Sequence, residues 1–249
     1  MEDGARVVAI VFAGGSGTRM GNAIPKQFME VAGCPILAHT LMLFQNHKRI
    51  DVIYMAVHAD YMAQTNEIAA RYGIGKLAGV TVGGDSAQAS IYNALALARE
   101  SGEQDSAIVL IHDGVRPYVD ASVIDANIDS VVRYGNAVTY TPCIETLVIS
   151  HDGSAIDALP YRRESYSAQA PQSFRLGDIL AAHDRLRAMP GGYTDMIDQA
   201  TICWTLGIPI HLVPGNRGNL KITTPEDVYT FRALLQYRED MRNGRTSAD

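Results

Sequence analysis

The stretch RVVAIVFAGGSGTR, Arg6–Arg19, decides the fold, because an unbroken apolar run ends abruptly in glycines and a fixed cation. A run with no polar alternation reads as a strand buried on both faces, which belongs to parallel sheets covered by helices. The same unit recurs downstream. Pro35–Phe44 (PILAHTLMLF) has apolar residues at helical spacing, Val52–Val57 (VIYMAV) reads as a strand, Tyr61–Tyr72 as a helix and Gly79–Val82 as a short strand. Ser90–Glu100 (SIYNALALARE) is a further helix and Ala107–Ile111 (AIVLI) a further apolar strand. This alternation predicts an α/β fold with a doubly wound, mostly parallel, Rossmann-like sheet.

The rhythm breaks over about residues 136–174. AVTYTPCIETLVIS and AIDALPYRRESYSAQAPQSF read as two extended segments joined by a turn at Asp152-Gly153, a hairpin that forms a projecting arm. Beyond it, Leu176–Leu186 and Asp195–Leu206 read as helices and Ile208–Val213 as a strand. Lys221 is placed on a strand entering a helix that Thr223 or Thr224 caps ahead of Pro225, with acids in its first turn. One domain over residues 1–249, with its arm at about 136–174, accounts for the whole pattern, and the last residues (NGRTSAD) read as frayed.

Composition narrows the function. The 249 residues are 47% hydrophobic, enough for a sizeable core, and carry a formal net charge of −6, which argues against a nucleic-acid partner. Cys34, Cys143 and Cys203 are widely spaced, with no C-x-x-C, and read as reduced thiols rather than as disulfides or a zinc site. Acidic Glu2 and Asp3 ahead of a short apolar run suit neither a signal peptide nor a membrane span, so the expected location is cytoplasmic.

In open parallel sheets ligands sit at the carboxyl ends of the strands, and the chemistry-bearing residues gather there. After the first strand, Ala13, Gly14, Gly15, Ser16 and Gly17 form a turn whose backbone N–H groups can approach an anion, followed by Arg19 and Lys26. The pattern is neither a P-loop nor a complete G-x-G-x-x-G, since Met20 occupies the last glycine position. A purely structural tight turn competes with that reading; the two cations favour the phosphate. After Ala107–Ile111 comes HDGVRP, where Asp113 can hold a hydroxyl or a divalent metal and Arg116 a second anion, against the competing reading of a surface Asp–Arg salt bridge in a loop; His112 reads as structural or as a support behind the site. Gly83, Gly84 and Asp85, with Ser90 on the next helix, suit the rim of a base pocket and equally a solvated turn. The chain has only four lysines, and Lys26 and Lys221 both fall in strand-end segments.

Taken together, A-G-G-x-G-x-R-M-G, P-K-Q-F, G-G-D, H-D-x-x-R-P, A-P-Q-S-F and N-L-K-I-T-T-P-E-D resemble a family of cytidylyltransferases acting on sugar-alcohol phosphates, over about Val7 to Ala233. Its two best-known branches act on 2-C-methyl-D-erythritol 4-phosphate and on ribitol 5-phosphate. The resemblance implies Mg²⁺-dependent attack of an acceptor phosphate oxygen on the α-phosphorus of CTP, with pyrophosphate leaving. It also implies roles for residues. Arg19, Lys26 and Lys221 would be catalytic. Ala13, Gly14, Gly15, Ser16, Gly17, Gly84, Asp85, Ser90 and Asp113 would hold CTP, with Asp113 near the metal. Arg116, Thr146 and Arg162 would hold the acceptor, the last two reaching in from the partner of a homodimer.

Two positions depart from the family pattern: Ala87, where an arginine is usual, and Ala170, where a threonine is usual. The first implies an altered contact near the nucleotide, the second a lost hydroxyl near the acceptor. FAGG, the spacing of GNAIPKQF and YSAQAPQSF resemble the ribitol-phosphate branch more than the methylerythritol one. A nucleotidylyltransferase for UTP or GTP and a non-catalytic nucleotide-binding paralogue are the alternatives.

Overall fold

The computed structural model describes residues 4–13 and 25–244. Strand β1 (Val7–Ala13) is followed by a small ribbon of β2 (Glu30–Val31) and β3 (Cys34–Pro35) and by helix α1 (Ile36–Gln45). Then come β4 (Val52–Val57), α2 (Met62–Arg71), β5 (Leu77–Val82), α3 (Ala87–Glu100) and β6 (Ile108–Asp113). The second half contains α4 (Ala121–Tyr134), β7 (Asn136–Pro142), β8 (Tyr166–Arg175), α5 (Leu176–Arg187), α6 (Gln199–Thr205), β9 (Leu212–Pro214) and α7 (Pro225–Arg242).

Among the described residues, seven strands share one sheet in the order β5-β4-β1-β6-β8-β7-β9. β1 pairs in parallel with β4 and β6, and β4 with β5, whereas β8 runs antiparallel to both its neighbours. The sheet is therefore mostly parallel and wound on both faces, as the strand-helix alternation predicts. Successive residues of β1 serve opposite layers: Val7, Ala9 and Val11 pack with Leu37, Leu41 and Phe44 of α1 and Ile124 and Ile128 of α4. Val8 and Ile10 pack with Ile91 and Leu95 of α3 and Ile179 and Leu180 of α5. A third cluster, with Val115, Tyr118, Ile222, Val228 and Phe231, seats α7 beside the end of β6. No helix among the described residues is long and apolar enough to cross a membrane.

Several expectations change in detail. The sequence reading has no element between HDGVRP and Asn136, yet α4 fills that span and ends at Gly135, whose φ of 85° is the left-handed value a helix terminus favours. The bases of the expected arm are strands β7 and β8 of the main sheet, so only the intervening residues 143–165 stand off from it, with an isolated bridge between Ile149 and Ala158. Their turn carries Gly153 at φ 76°, with Asp152 Oδ1 accepting from the Ser154 N–H at 2.8 Å. Helix α6 starts at Gln199 rather than Asp195, because Asp195 is in the left-handed region and Asp198 caps the helix. Strand β9 covers only Leu212–Pro214, and Lys221 lies in irregular chain rather than on a strand.

A buried polar knot joins α4 to β7 and β8. Asn127 Nδ2 donates to Thr139 Oγ1 at 2.9 Å, Ser173 Oγ donates to Asn127 Oδ1 at 2.9 Å, and Thr139 Oγ1 donates to the Pro171 carbonyl at 2.6 Å. Asn127, Thr139 and Ser173 are fully buried, so each bond replaces water that is no longer available. Asn127→Ala leaves the Ser173 hydroxyl without its acceptor and is expected to cost about 2–3 kcal/mol, read as a lower urea midpoint at unchanged m-value.

Candidate active site

Asp113, the last residue of β6, is only 7% exposed, and burial of a carboxylate demands compensation. Two cations supply it. Lys221 Nζ lies 2.6 Å from Oδ1, and Arg116 Nε donates to Oδ2 at 2.8 Å. Burial pushes the Asp113 pKa up, but Lys221 first and Arg116 second outweigh it and hold the group below the usual carboxylate value.

Each cation is fixed in turn. Arg116 Nη1 donates to the Asn219 carbonyl at 2.8 Å, and Asn219 Nδ2 donates to the Ala170 carbonyl at 2.6 Å. The Ile222 N–H donates to the Val115 carbonyl at 2.9 Å, which holds the chain on the far side of Lys221 against the turn. His112, fully buried and edge-on to Phe44, has Nε2 3.0 Å from the Arg116 carbonyl and closes the same turn. Gly114 is required here: a Cβ on it would stand 3.0 Å from Ala13 Cβ and 3.3 Å from the Phe12 carbonyl oxygen, so the ends of β1 and β6 could not approach as they do.

Asp113, Arg116 and Lys221 border a cavity of about 260 Å³ between α3, β6, β8 and α6. Phe12, Ile91 and Ile111 give it apolar surface, while Gln88, Gln172, Asp198 and Gln199 line it with polar groups. Gln172 Nε2 donates to Asp198 Oδ2 at 2.9 Å, and Asp198 Oδ1 accepts from the Thr201 N–H and hydroxyl at 2.8 Å each, so these groups are rigidly held. Ala87 and Ala170, the two departures from the pattern the sequence resembles, line this one cavity.

The structure thus brings Asp113, Arg116 and Lys221 together. The Gly84 turn follows β5, and the Gly84 N–H donates to Ser90 Oγ at 3.0 Å, while that hydroxyl donates to the Ser86 carbonyl at 2.9 Å. Ser90 is therefore buried as the brace of the turn, and Asp85 is exposed on it. Ala13 ends β1 and its carbonyl lies 3.4 Å from Gln27 Nε2; Lys26 opens the 3-10 turn Lys26–Phe28. Gly14, Gly15, Ser16, Gly17 and Arg19 lie outside the described residues. Thr146 and Arg162 lie exposed in the 143–165 segment and do not line this chain's cavity.

Sequence reasoning missed Asn219, Gln88, Gln199 and Asp198. Gln88 and Gln199 are each 1% exposed. A glutamine three residues before Ile91, on the face that the helix buries, was the available signal. No three His, Cys, Asp or Glu side chains gather as a metal cage among the described residues.

A family model described as 2-C-methyl-D-erythritol 4-phosphate cytidylyltransferase matches residues 7–237. The chain is 42% identical over 234 residues to a ribitol-5-phosphate cytidylyltransferase of Streptococcus agalactiae serotype V, covering 94% of this chain and 96% of the relative. It is 37% identical to a 2-C-methyl-D-erythritol 4-phosphate cytidylyltransferase of Syntrophus aciditrophicus, covering 94% and 97%. A crystal structure of 4-diphosphocytidyl-2C-methyl-D-erythritol synthase from Anaerococcus prevotii superposes with a TM-score of 0.79 at 27% identity, covering 94% of this chain and 100% of that one.

Burial pushes His112 and His183 down to about 4, so both imidazoles fold neutral. The unfolded chain binds their protons near pH 6.5 and the folded chain only near pH 4, so stability falls as pH drops through that window. Urea midpoints measured from pH 7 to pH 4 are expected to fall with decreasing pH, and His183→Gln is expected to make the decline shallower.

Proposed function

The chain belongs to the 2-C-methyl-D-erythritol 4-phosphate cytidylyltransferase family, and from that premise we propose that its acceptor is D-ribitol 5-phosphate. As a cytidylyltransferase it is a nucleotidyltransferase that moves CMP from CTP to a polyol phosphate. The observation that carries the acceptor is the 42% identity to ribitol-5-phosphate cytidylyltransferase over almost the whole chain. The alternative, 2-C-methyl-D-erythritol 4-phosphate, is favoured by the description of the family model and by the relative at 37%.

In the reaction an acceptor phosphate oxygen forms a bond to the α-phosphorus of CTP while the bond to the β-phosphate oxygen breaks and pyrophosphate leaves. Two polyanions must meet, so positioning and fixed positive charge carry the catalysis. Lys221 and Arg116, locked on Asp113, supply charge at the acceptor side. Arg19 and Lys26, with the glycines 14, 15 and 17, take the triphosphate, and Gly84 and Asp85 border the base. Ser90 acts by holding the Gly84 turn. Asp113 orients the two cations and presents its carboxylate to sugar hydroxyls.

Magnesium is the metal we assign. With no protein cage among the described residues, the donor set fits an ion borne chiefly by phosphate oxygens and water, with Asp113 as the carboxylate that would hold it. The chemistry it supplies when bound is neutralisation of phosphate charge.

A homodimer completes the reading. Ile144, Ile156, Leu159 and Tyr161 of the 143–165 segment are each at least 59% exposed, an apolar surface that a second copy would cover while delivering Thr146 and Arg162 to its neighbour's site. A reducing, cytoplasmic setting suits the three free thiols.

Pyrophosphate release with CTP, UTP and GTP, each against the two polyol phosphates, tests the reading. The highest kcat/KM is expected for CTP with ribitol 5-phosphate, and EDTA is expected to abolish it. Equal turnover with UTP would overturn the nucleotide assignment, and a preference for methylerythritol phosphate the acceptor. Arg162→Ala and Lys26→Ala are each expected to lower kcat/KM by about 100-fold or more. If Arg162 acts across the dimer, equal mixing of the two variants restores about a quarter of wild-type activity, because half the dimers are mixed and each has one intact site; no recovery after verified subunit exchange would refute it.

A further inference from the structure

A chain of buried hydrogen bonds starts at the active-site cavity and runs away from it under α3. Gln199 Nε2 donates to Gln88 Oε1 at 2.6 Å, His183 Nε2 lies 2.8 Å from Gln199 Oε1, and Tyr193 Oη lies 2.6 Å from His183 Nδ1. His183 is fully buried, and Gln88 and Gln199 nearly so. Since Gln199 Oε1 accepts, His183 Nε2 carries the proton and Tyr193 donates to Nδ1. Gln88 Nε2 reaches the Met196 carbonyl only at 3.5 Å, and one N–H of Gln88 and one of Gln199 have no partner among the described residues. The position is costly for a carboxamide, since the same face of α3 carries Ile91 and Leu95 into the core.

Resting on the function above, we propose that Gln88 is a specificity-determining residue, its carboxamide oriented by Gln199, His183 and Tyr193 to bind a hydroxyl on the acceptor's carbon chain. Arg116 and Lys221, paired with Asp113, bring positive charge to the lining, where a phosphate belongs, while Gln88 and Gln172 bring neutral amides and Asp198 a second carboxylate, bonded to Gln172 and Thr201. Phe12 and Ile111 add surface suited to C–H groups. A molecule that carries both a phosphate and a run of hydroxyls matches that lining. The chain also reads in the opposite sense: with both amides turned over and the imidazole proton on Nδ1, Gln88 offers its carbonyl instead of its N–H. A hydroxyl both donates and accepts, so either sense binds it. His183 stays neutral at physiological pH because burial pushes it down to about 4, and the chain adds no charge to the site.

Kinetics of the full-length enzyme with CTP and each of the two acceptors, ribitol 5-phosphate and 2-C-methyl-D-erythritol 4-phosphate, test the assignment in Gln88→Met and Tyr193→Phe. Gln88→Met is expected to raise the KM for the preferred acceptor about tenfold, leave the KM for CTP within about twofold, and bring the kcat/KM ratio of the two acceptors towards one. Tyr193→Phe, which keeps the ring and loses only the donor at the far end of the chain, is expected to shift the same ratio about threefold. A merely structural chain would lower the melting temperature and leave the ratio alone. Active Gln88→Met with wild-type selectivity overturns the assignment; if that variant does not fold, unchanged selectivity in Tyr193→Phe overturns it. Wild-type enzyme inactive on both acceptors overturns the function above instead, so the two failures are distinguishable.

Discussion

A single buried carboxylate organises the site. Asp113 ends a central strand with its charge almost out of water, and Lys221 and Arg116 neutralise it from either side. Such a pair adds little net stability, because desolvating the charges cancels most of their attraction. What it does is fix position. Lys221 comes from the irregular chain before α7 and Arg116 from the turn after β6, and Arg116 is bonded in turn to the carbonyl of Asn219, whose side chain grips the start of the buried part of β8. Three segments distant in sequence are thereby held in one arrangement, and two cations stand at the end of a rigid strand.

The rigidity of that strand gives the arrangement a fixed centre. β6 is flanked by β1 and β8, and its residues are buried on both faces. Gly114 lets the end of β1 approach, with its N–H donating to the Phe12 carbonyl at 2.9 Å, and Thr40 of α1 donates to the Gly114 carbonyl at 3.0 Å. The position of Asp113 is thereby set by backbone pairing and helix packing, which resist displacement far better than exposed ion pairs do.

The parts that the sequence displayed plainly are those whose physics is one-dimensional. β1, β4 and β6 are continuous apolar runs because both their faces are covered, and HDGVRP stands out because acid, cation and glycine follow a strand directly. α4 was hidden because its buried stripe mixes β-branched Val123, Ile124, Ile128 and Val131, poor helix formers, with Asn127 and Ser130. Those two polar residues are buried for tertiary hydrogen bonds that no local pattern announces. β8 was mistaken for part of an arm for the same reason: Gln172 and Ser173 look like surface residues, yet both are buried. Gln199 was invisible as a lining residue because a buried amide and a solvated one have the same letter.

Beside its charged groups, Asp198 among them, the cleft is lined by the amides of Gln88, Gln172 and Gln199. A charged side chain at Gln88 would act on the phosphates as well as on a hydroxyl, since charge reaches much farther than a hydrogen bond in a partly desolvated site. On the proposed function, it would add to or subtract from the field that Lys221 and Arg116 would provide for the transition state. A carboxamide selects by direction and contact alone, and it rejects a misplaced group because its own buried polar atoms are then left unpaired. On the proposed function, recognition and charge stabilisation would fall to separate groups lining one cavity.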